Sequence, residues 1–339
     1  MNESKENNYS VGWYRVPLPK ELRRELNARS DVKGFMQAGG YLGLMFLSGL
    51  GVFLVWQNLS WPWLIPALFI HGTICSFQIN AVHELVHGTV FKTKWLNTLF
   101  VHFFAFFGWI NHRFFWASHT EHHKYTLHDP HDMEVVLPIK FSLSGFMKGA
   151  FINIPGIQWK LKRDFKTACG MWNNDWEKQL CEGQKRRHAI CNWSRILIGG
   201  HLLIAVVSIY FGLWIVPIIV SLNFAYGGAL LFFLNNTQHV GLQDHTTDFR
   251  LNSRTFYTNP VFRFLYWNMN YHIEHHMYAS VPCYNLSKLH EAIKSELPPT
   301  PNGLIQTWFH IIGVLYRQQE EPGYQYEPKI PESEFRKAV

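Results

Sequence analysis

Two long stretches without a single Lys or Arg constrain the fold more than any other feature. One runs from residue 34 to residue 91 and the other from residue 196 to residue 249. Each contains two apolar runs of about 20 residues, and a helix of that length spans the roughly 30 Å of bilayer hydrocarbon. The four runs cover residues 34–56, 61–81, 196–215 and 216–234. We therefore expect four transmembrane helices arranged in two hairpins.

The composition agrees with a membrane protein that also carries polar segments. Hydrophobic residues make up 47% of the chain and charged residues 16%, below the roughly 25% of soluble domains. The mean hydropathy of −0.08 is then an average over apolar runs and polar segments. The apolar content excludes a disordered chain, and five cysteines in 339 residues exclude a disulfide scaffold.

The positions of the basic residues predict how the chain is oriented. All 31 Lys and Arg lie outside the two hairpins, and the positive-inside rule places the segments that carry them in the cytosol. Both termini should then be cytosolic. The membrane would be the inner membrane in a bacterium, and the endoplasmic reticulum or another endomembrane in a eukaryote. Shorter apolar stretches at 95–110, 146–159 and 303–316 are predicted to be re-entrant or interfacial helices.

We expect one domain over residues 1–339. It would consist of an N-terminal tail, a first hairpin, a cytosolic segment, a second hairpin and a second cytosolic segment, covering residues 1–33, 34–81, 82–195, 196–234 and 235–339.

Three histidine motifs lie in the predicted cytosolic segments. They read His83-Glu-Leu-Val-His87, His119-Thr-Glu-His122-His123 and His272-Ile-Glu-His275-His276. On a helix, residues at i, i+3 and i+4 share one face, so the imidazoles of each motif point the same way. Eight imidazoles exceed the four ligands of one zinc and suit a two-metal site. Imidazole binds iron, copper and zinc, so ligand type alone does not select the metal.

The first motif also permits a different class of function. His83-Glu84-x-x-His87 has the pattern of zinc metalloproteases, in which the glutamate is the general base. On a membrane helix it would indicate an intramembrane protease. That interpretation requires a third ligand and leaves the other two histidine motifs without a role.

With these residues, the chain resembles the membrane fatty acid desaturase superfamily, which includes related hydroxylases and monooxygenases. The matching motifs are His-Glu-Leu-Val-His-Gly at 83–88, His-Thr-Glu-His-His at 119–123 and Asn-Tyr-His-Ile-Glu-His-His-Met at 270–277. The resemblance covers roughly residues 35–295. It implies an all-α integral membrane protein in which a four-helix stem lies under a helical cytosolic cap. The cap would hold two iron ions, with O2 as co-substrate.

The resemblance also adds candidates to the site. His239 matches a ninth histidine ligand that often follows the fourth span in this superfamily. Asn235, four residues earlier, could hold an iron-bound water or simply cap the end of the span. Glu84, Glu121 and Glu274 each lie within a motif, and we expect them to accept an N–H from a ligand imidazole. The roles of His128, His131 and His245 remain open.

The implied activity is desaturation of a fatty acyl lipid. Hydroxylation or monooxygenation, or oxidative decarboxylation of a related hydrocarbon chain, stay open as alternatives. The sequence has no His-Pro-Gly-Gly motif of a fused cytochrome b5 domain, so we expect a separate electron donor of the ferredoxin or cytochrome b5 type. No nucleic-acid-binding motif accompanies the positive net charge, so a nucleic-acid partner is not expected.

Overall fold

The predicted all-α class is confirmed over the part of the chain that the structure describes. That part, in a computed structural model, is residues 9–332 without the side chains at 143 and 148; the ends of the predicted 1–339 domain lie outside it. Its eighteen α-helices are joined by loops and short 3₁₀ or π-helical turns. Only isolated β-bridges occur among these residues, and they form no strand.

The first hairpin contains two long apolar helical segments. From the first described helix to the end of this hairpin, the helices are α1 Lys20–Leu26, α2 Asp31–Gly34, α3 Gly40–Asn58, α4 Leu64–Ser76 and α5 Gln78–Val86. A π-helical turn joins α2 to α3, so that Asp31–Asn58 is one candidate span, and Trp61–Val86 is the second. The second span continues past the predicted end at residue 81, so the first histidine motif lies on its final turns.

The segment between the hairpins contains five shorter helices. They are α6 Lys94–Phe107, α7 His112–Tyr125, α8 Leu143–Ala150, α9 Ile154–Ala168 and α10 Asp175–Leu180. Helix α6 covers the first predicted interfacial stretch; its 14 residues rise about 21 Å, too short to cross a bilayer. The predicted stretch 146–159 is divided between α8 and α9. The division occurs because Asn153 begins α9, where its side chain accepts the N–H of Gly156.

The second hairpin departs from the prediction of four continuous spans. Its helices are α11 Gln184–Tyr210, α12 Ile215–Ser221 and α13 Ala229–Asn235. Helix α11 begins well before the predicted residue 196 and is a third candidate span. The predicted fourth span, 216–234, is broken into α12 and α13. By length and composition, the described residues contain three continuous candidate spans. The broken segment is not among them, so the fourth span is not confirmed and stays a prediction.

Close backbone packing explains why glycine occupies position 227 within the break. Gly227 has a φ of +71°, and a Cβ there would lie only 2.5 Å from the backbone nitrogen of Thr73 in α4. The backbone groups freed by the break are satisfied locally. Thr73 Oγ1 donates to the carbonyl of Gly227 at 3.0 Å, and the Gly227 N–H donates to the carbonyl of Phe151 at 3.1 Å. Irregular backbone is tolerated at membrane depth when protein covers it in this way.

The C-terminal segment completes the fold. Its helices are α14 Phe249–Asn252, α15 Pro260–Leu265, α16 His272–Met277, α17 Leu286–Ile293 and α18 Leu304–Glu320. Helix α18 covers the third predicted interfacial stretch. One hydrophobic cluster joins Tyr41 of α3 and Phe104 of α6 to Trp267, Leu286 and Leu289 near the C-terminus. Because this shared core packs α16 and α17 against the stem, it fixes where α16 presents its histidines.

The predicted topology can be tested at the tip of the first hairpin. Ser60 is exposed between α3 and α4, whereas Cys169 is exposed in the segment predicted to be cytosolic. In a Cys169→Ser background, we expect Ser60→Cys to react with a membrane-impermeant maleimide only from the extracytosolic side. In the parent chain, Cys169 should react only from the cytosolic side. Labelling of both positions from the same side of sealed vesicles would contradict the hairpin topology.

Candidate metal centre

The first histidine cluster combines residues from three helices. His83 and His87 come from the end of α5, His119 and His123 from α7, and His275 from α16. Each offers one ring nitrogen, and these five atoms lie within 4.8 Å of one another. The helical spacing of each motif explains why its members share a face, but only the packing of α5, α7 and α16 brings the motifs together.

The second cluster uses the remaining histidines of the second and third motifs. His122 comes from α7, His272 and His276 come from α16, and His239 lies in the loop after α13. Their four nitrogen atoms also lie within 4.8 Å of one another. All nine predicted ligand positions thus fall into two groups. The second and third motifs are each divided between the groups, so a motif does not correspond to one metal.

The nitrogens are separated as expected for ligands of a common ion. Nε2 of His123 lies 2.9 Å from Nε2 of His119 and 3.1 Å from Nε2 of His275. Nε2 of His272 lies 2.9 Å from Nε2 of His239 and 3.1 Å from Nε2 of His276. Two nitrogens that bind one metal at about 2.1 Å and about 90° to each other are about 3.0 Å apart. The donor sets therefore fit metal ions.

Hydrogen bonding leaves too few hydrogens to hold the second cluster together without a cation. Nδ1 of His239 faces the carbonyl of Asn252 at 2.7 Å and must carry the hydrogen, which leaves Nε2 bare in a neutral ring. Nδ1 of His276 faces the hydroxyl of Thr126, which already donates to the carbonyl of His122. Nε2 of His276 is therefore bare as well. Three Nε2 atoms converge with at most one hydrogen among them, which suits a positive ion between them.

Burial keeps these imidazoles in the neutral form that binds metals. It lowers the pKa of His239 to about 3 and holds the pKa values of His119, His123, His272, His275 and His276 well below 6.5, with nearby imidazoles adding to the effect. His122 differs. Burial lowers its pKa, but the charge and hydrogen bond of Asp132 outweigh burial, so the pKa lies above the usual value. Neutral imidazoles at physiological pH need no deprotonation before they bind an ion.

Carboxylates hold several of the rings. Oε1 of Glu84 lies 2.9 Å from Nδ1 of His83, as predicted for this glutamate, and 3.6 Å from Nδ1 of His275. Oδ2 of Asp132 accepts from Nδ1 of His122 at 2.8 Å, and Oε1 of Glu134 lies 2.9 Å from Nδ1 of His119. Such bonds fix the tautomer and the ring orientation, so that Nε2 is the nitrogen left to bind a metal.

Sequence reasoning missed Asp132 and Glu134. Both follow the second motif in Asp129-Pro-His-Asp132-Met-Glu134, where acidic residues recur close to the histidines. That density of carboxylates was the available signal. Their pairing with His122 and His119 depends on the loop after α7, in which the N–H of Leu127 donates to Oδ2 of Asp132 and folds the loop back onto the helix.

Three further residues were predicted to support the metal ligands, but none of their side chains forms a hydrogen bond with a motif histidine in the described structure. Glu121 forms an ion pair with Lys124 at 2.8 Å and contacts no histidine among the described residues, because it lies on the opposite face of α7 from the clusters. Asn235 is exposed at the end of α13. Glu274 is fully buried, but its partners are His290 and Thr255, each at 2.5 Å, and neither is a motif histidine. The expected N–H bonds from ligand imidazoles to Glu121 and Glu274 are thus corrected.

These contacts indicate what a replacement of Glu274 should do. The residue anchors α16 to His290 of α17 and to Thr255, so Glu274→Gln should loosen the helix that supplies His272, His275 and His276. We expect a roughly 10–100-fold loss of iron affinity or activity, as for other residues that support ligands indirectly. Chelator competition on the purified protein would measure this. A variant with wild-type affinity and rate would show that the anchoring contacts are dispensable.

His128, His131 and His245, whose roles the sequence did not decide, lie outside both clusters. Nδ1 of His128 is within 3.1 Å of the carbonyls of Tyr125 and Thr126. His131 stacks on Tyr9, and Nε2 of His245 pairs with Asp129 at 2.7 Å. His128 and His131 thus pack within the loop after α7, and His245 contacts that loop through Asp129.

Together the fold and the clusters define a class of protein. It is a helical protein with three segments apolar enough to span a membrane and two adjacent all-histidine sites suited to metal ions. Comparison with protein families then identifies it further. The family model described as fatty acid desaturase matches residues 59–308, and the chain belongs to the fatty acid desaturase family. No curated protein matches the chain at a significant level.

Proposed function

We propose that the protein is a membrane-bound, non-haem di-iron oxidoreductase that desaturates a fatty acyl chain, with O2 as co-substrate. The observation that supports this most directly is the pair of buried histidine clusters, whose bare nitrogens converge on two points. The family accounts for the oxidoreductase class and for the acyl substrate. The proposed iron ligands are the nine clustered histidines.

Removing hydrogen from an unactivated C–H bond is beyond side-chain acid–base chemistry. Two bound irons would supply the required oxygen and electron chemistry. The chain contributes the ligands and the carboxylates of Glu84, Asp132 and Glu134 that orient them. It also shields the second cluster from water, since its four histidines are all buried. The position of the substrate carbon relative to this rigid centre would decide between desaturation and hydroxylation or decarboxylation.

We further propose a four-span topology, in which the broken segment of α12 and α13 is the fourth crossing and the active site and both termini are cytosolic. The three candidate spans support the membrane location. Because all Lys and Arg lie outside the two hairpins, the positive-inside rule supports a cytosolic position for the segments that carry them. Electrons would come from a separate ferredoxin or cytochrome b5 type donor. Exposed basic residues of the proposed cytosolic segment, such as Lys185 and Arg187, favour an acidic donor of this kind.

The zinc protease interpretation of His83-Glu84-x-x-His87 has less support. It leaves the second and third motifs without a role, whereas His119, His123 and His275 lie in one cluster with His83 and His87. Glu84 is turned to Nδ1 of His83 and is fully buried, so it is not free to act as a general base on a peptide. Metal analysis discriminates between the two functions: about two irons per chain supports the oxidoreductase, and one zinc supports the protease.

Expression in a host of known lipid composition, followed by mass spectrometry of the lipids, tests the reaction itself. We expect a new double bond in an acyl chain. A new hydroxyl group or a lost carboxyl group would instead support the alternative oxidations. An unchanged lipid profile in cells that contain the iron-loaded protein and a suitable electron donor would count against all three.

A further inference from the structure

A polar cavity of about 400 Å³ lies beside the first histidine cluster. It is bounded by the end of α5, the beginning of α6 and the beginning of α7. His87 lines it, so the cavity reaches a residue of the candidate metal centre. His102 and His112 also line it, although neither belongs to a histidine motif or to either cluster. The proposed function so far assigns no role to this space.

The charges around the cavity all have the same sign. Arg29, Lys94 and Arg113 line it, and no Asp or Glu is among its lining residues. None of the three cations forms an ion pair or a side-chain hydrogen bond with another residue of the described 9–332 range. Asp31, whose carboxylate accepts from Thr93 near the start of α6, is not part of the lining. The lining therefore carries three exposed cations and no carboxylate.

Two helices also direct their positive ends towards the cavity. Helix α6 begins at Lys94 and helix α7 at His112, and both residues line it. Each helix has 14 residues. Unpaired N–H groups and the macrodipole make the first turn of such a helix favourable for anions. Converging helix ends and three side-chain cations thus act in the same direction.

His112 adds a buried polar group without a partner. The residue is 4% exposed, and neither ring nitrogen forms a hydrogen bond with any described residue. Trp193 and His102 pack edge-on against the ring. Burial, followed by the charge of Arg113, lowers the pKa of His112 to about 3, so the ring is neutral and offers one donor and one acceptor. The ring forms part of the cavity wall, but its nitrogens are covered, so a polar ligand would pair with this costly unpaired group only after the side chain turns.

We propose that this cavity binds the anionic head group of the acyl substrate, a carboxylate or a phosphate, with Arg113 as its main charge partner. This inference rests on the proposed function and deepens it. An anion carried by an acyl lipid suits the site, because Leu85 and Val101 form an apolar part of the wall beside the cations, where the acyl chain could pack. Binding there would place the head group next to His87 and hold the acyl chain at a defined distance from the metal centre.

Equilibrium binding to the purified, iron-loaded full chain tests the proposal without any turnover. The probes are palmitate, palmitoyl lysophosphatidate, inorganic phosphate and the uncharged hexadecanol. We expect at least one of the two anionic lipids to bind more tightly than hexadecanol, and Arg113→Gln to weaken that binding roughly tenfold while hexadecanol binding stays unchanged. Arg113→Lys should retain part of the preference. Arg24→Gln, a matched change at an exposed arginine of α1, should bind like the wild type.

Arg113 forms no side-chain bond to a described residue, so its replacement should leave folding and iron content intact, and both are measured alongside. Equal binding of hexadecanol and both anionic lipids, or unchanged binding in Arg113→Gln, would overturn the proposal. Inorganic phosphate that binds as tightly as the lipids would overturn the substrate assignment in favour of a free-anion site. Lipid analysis of the same variants separates the two hypotheses: intact head-group binding without any oxidised product would count against the proposed function alone.

Discussion

Replacing His275 by alanine is expected to remove one metal from the protein and to reduce turnover by at least about 100-fold, more than the loss of a residue that only supports a ligand. His275 is fully buried, and its Nε2 lies 3.1 Å from Nε2 of His123 in the first cluster. No neighbouring group can replace the lost nitrogen, because the other ring nitrogens of the cluster already converge on the same point. His122→Ala should have the corresponding effect on the second cluster, and His83→Ala on the first.

Iron analysis and turnover on the same preparation provide the measurement. We expect iron per chain to fall from about two towards one in His275→Ala, while the protein remains in the membrane because α16 is not a candidate span. His188→Ala is the matched control, since His188 is exposed on α11 and belongs to neither cluster. Full turnover by any of the three ligand variants would remove that histidine from the essential set.

Asp132→Asn is expected to weaken iron binding roughly 10–100-fold, although Asp132 itself binds no metal in this scheme. The carboxylate is completely buried and accepts from Nδ1 of His122, from the N–H of Leu127 and from the N–H of Glu134. Asparagine keeps the shape but loses the charge, and its NH2 group cannot accept any of these hydrogens. His122 would lose the partner that fixes its tautomer, and Nε2 would no longer be held bare.

Glu121→Gln is the matched control for this prediction. It changes a carboxylate within the second motif, but Glu121 is partly exposed and, among the described residues, pairs only with Lys124. Surface pairs of this kind contribute about 0–1 kcal/mol, so iron affinity should change by less than about twofold. Chelator competition and thermal unfolding would measure both variants. Equal iron affinities for Asp132→Asn and Glu121→Gln would refute the positioning role of Asp132.

Local features of the sequence were sufficient to predict the helices of the first hairpin and the helical position of the motif histidines. Runs of about 20 residues without charge predicted the helices of the first hairpin to within a few residues. The i, i+3, i+4 spacing correctly placed each motif's histidines on one helical face, as α7 and α16 show. These features depend on neighbours within one or two turns, which a single sequence displays directly.

Features that depend on distant parts of the chain were predicted poorly. The apolar run 216–234 has the composition of a span but is broken between α12 and α13, where α4 approaches the backbone of Gly227 too closely for a Cβ. Glu121 and Glu274 lie inside the motifs yet pair with Lys124 and with His290. Asp132 and Glu134 lie outside the motifs, but the loop after α7 returns them to His122 and His119.

By itself, then, the sequence determined that the chain forms apolar helices and carries eight histidines in three helically spaced motifs, because stretches without Lys or Arg and helical spacing are local properties. His239 became a candidate only through the family resemblance. Only the tertiary structure decided how those histidines divide into a group of five and a group of four. The division depends on how α5, α7 and α16 pack around a shared core, so that adjacent residues such as His122 and His123 point to different groups. The two gaps without Lys or Arg provide the stem, and the packing above it forms the candidate metal centre.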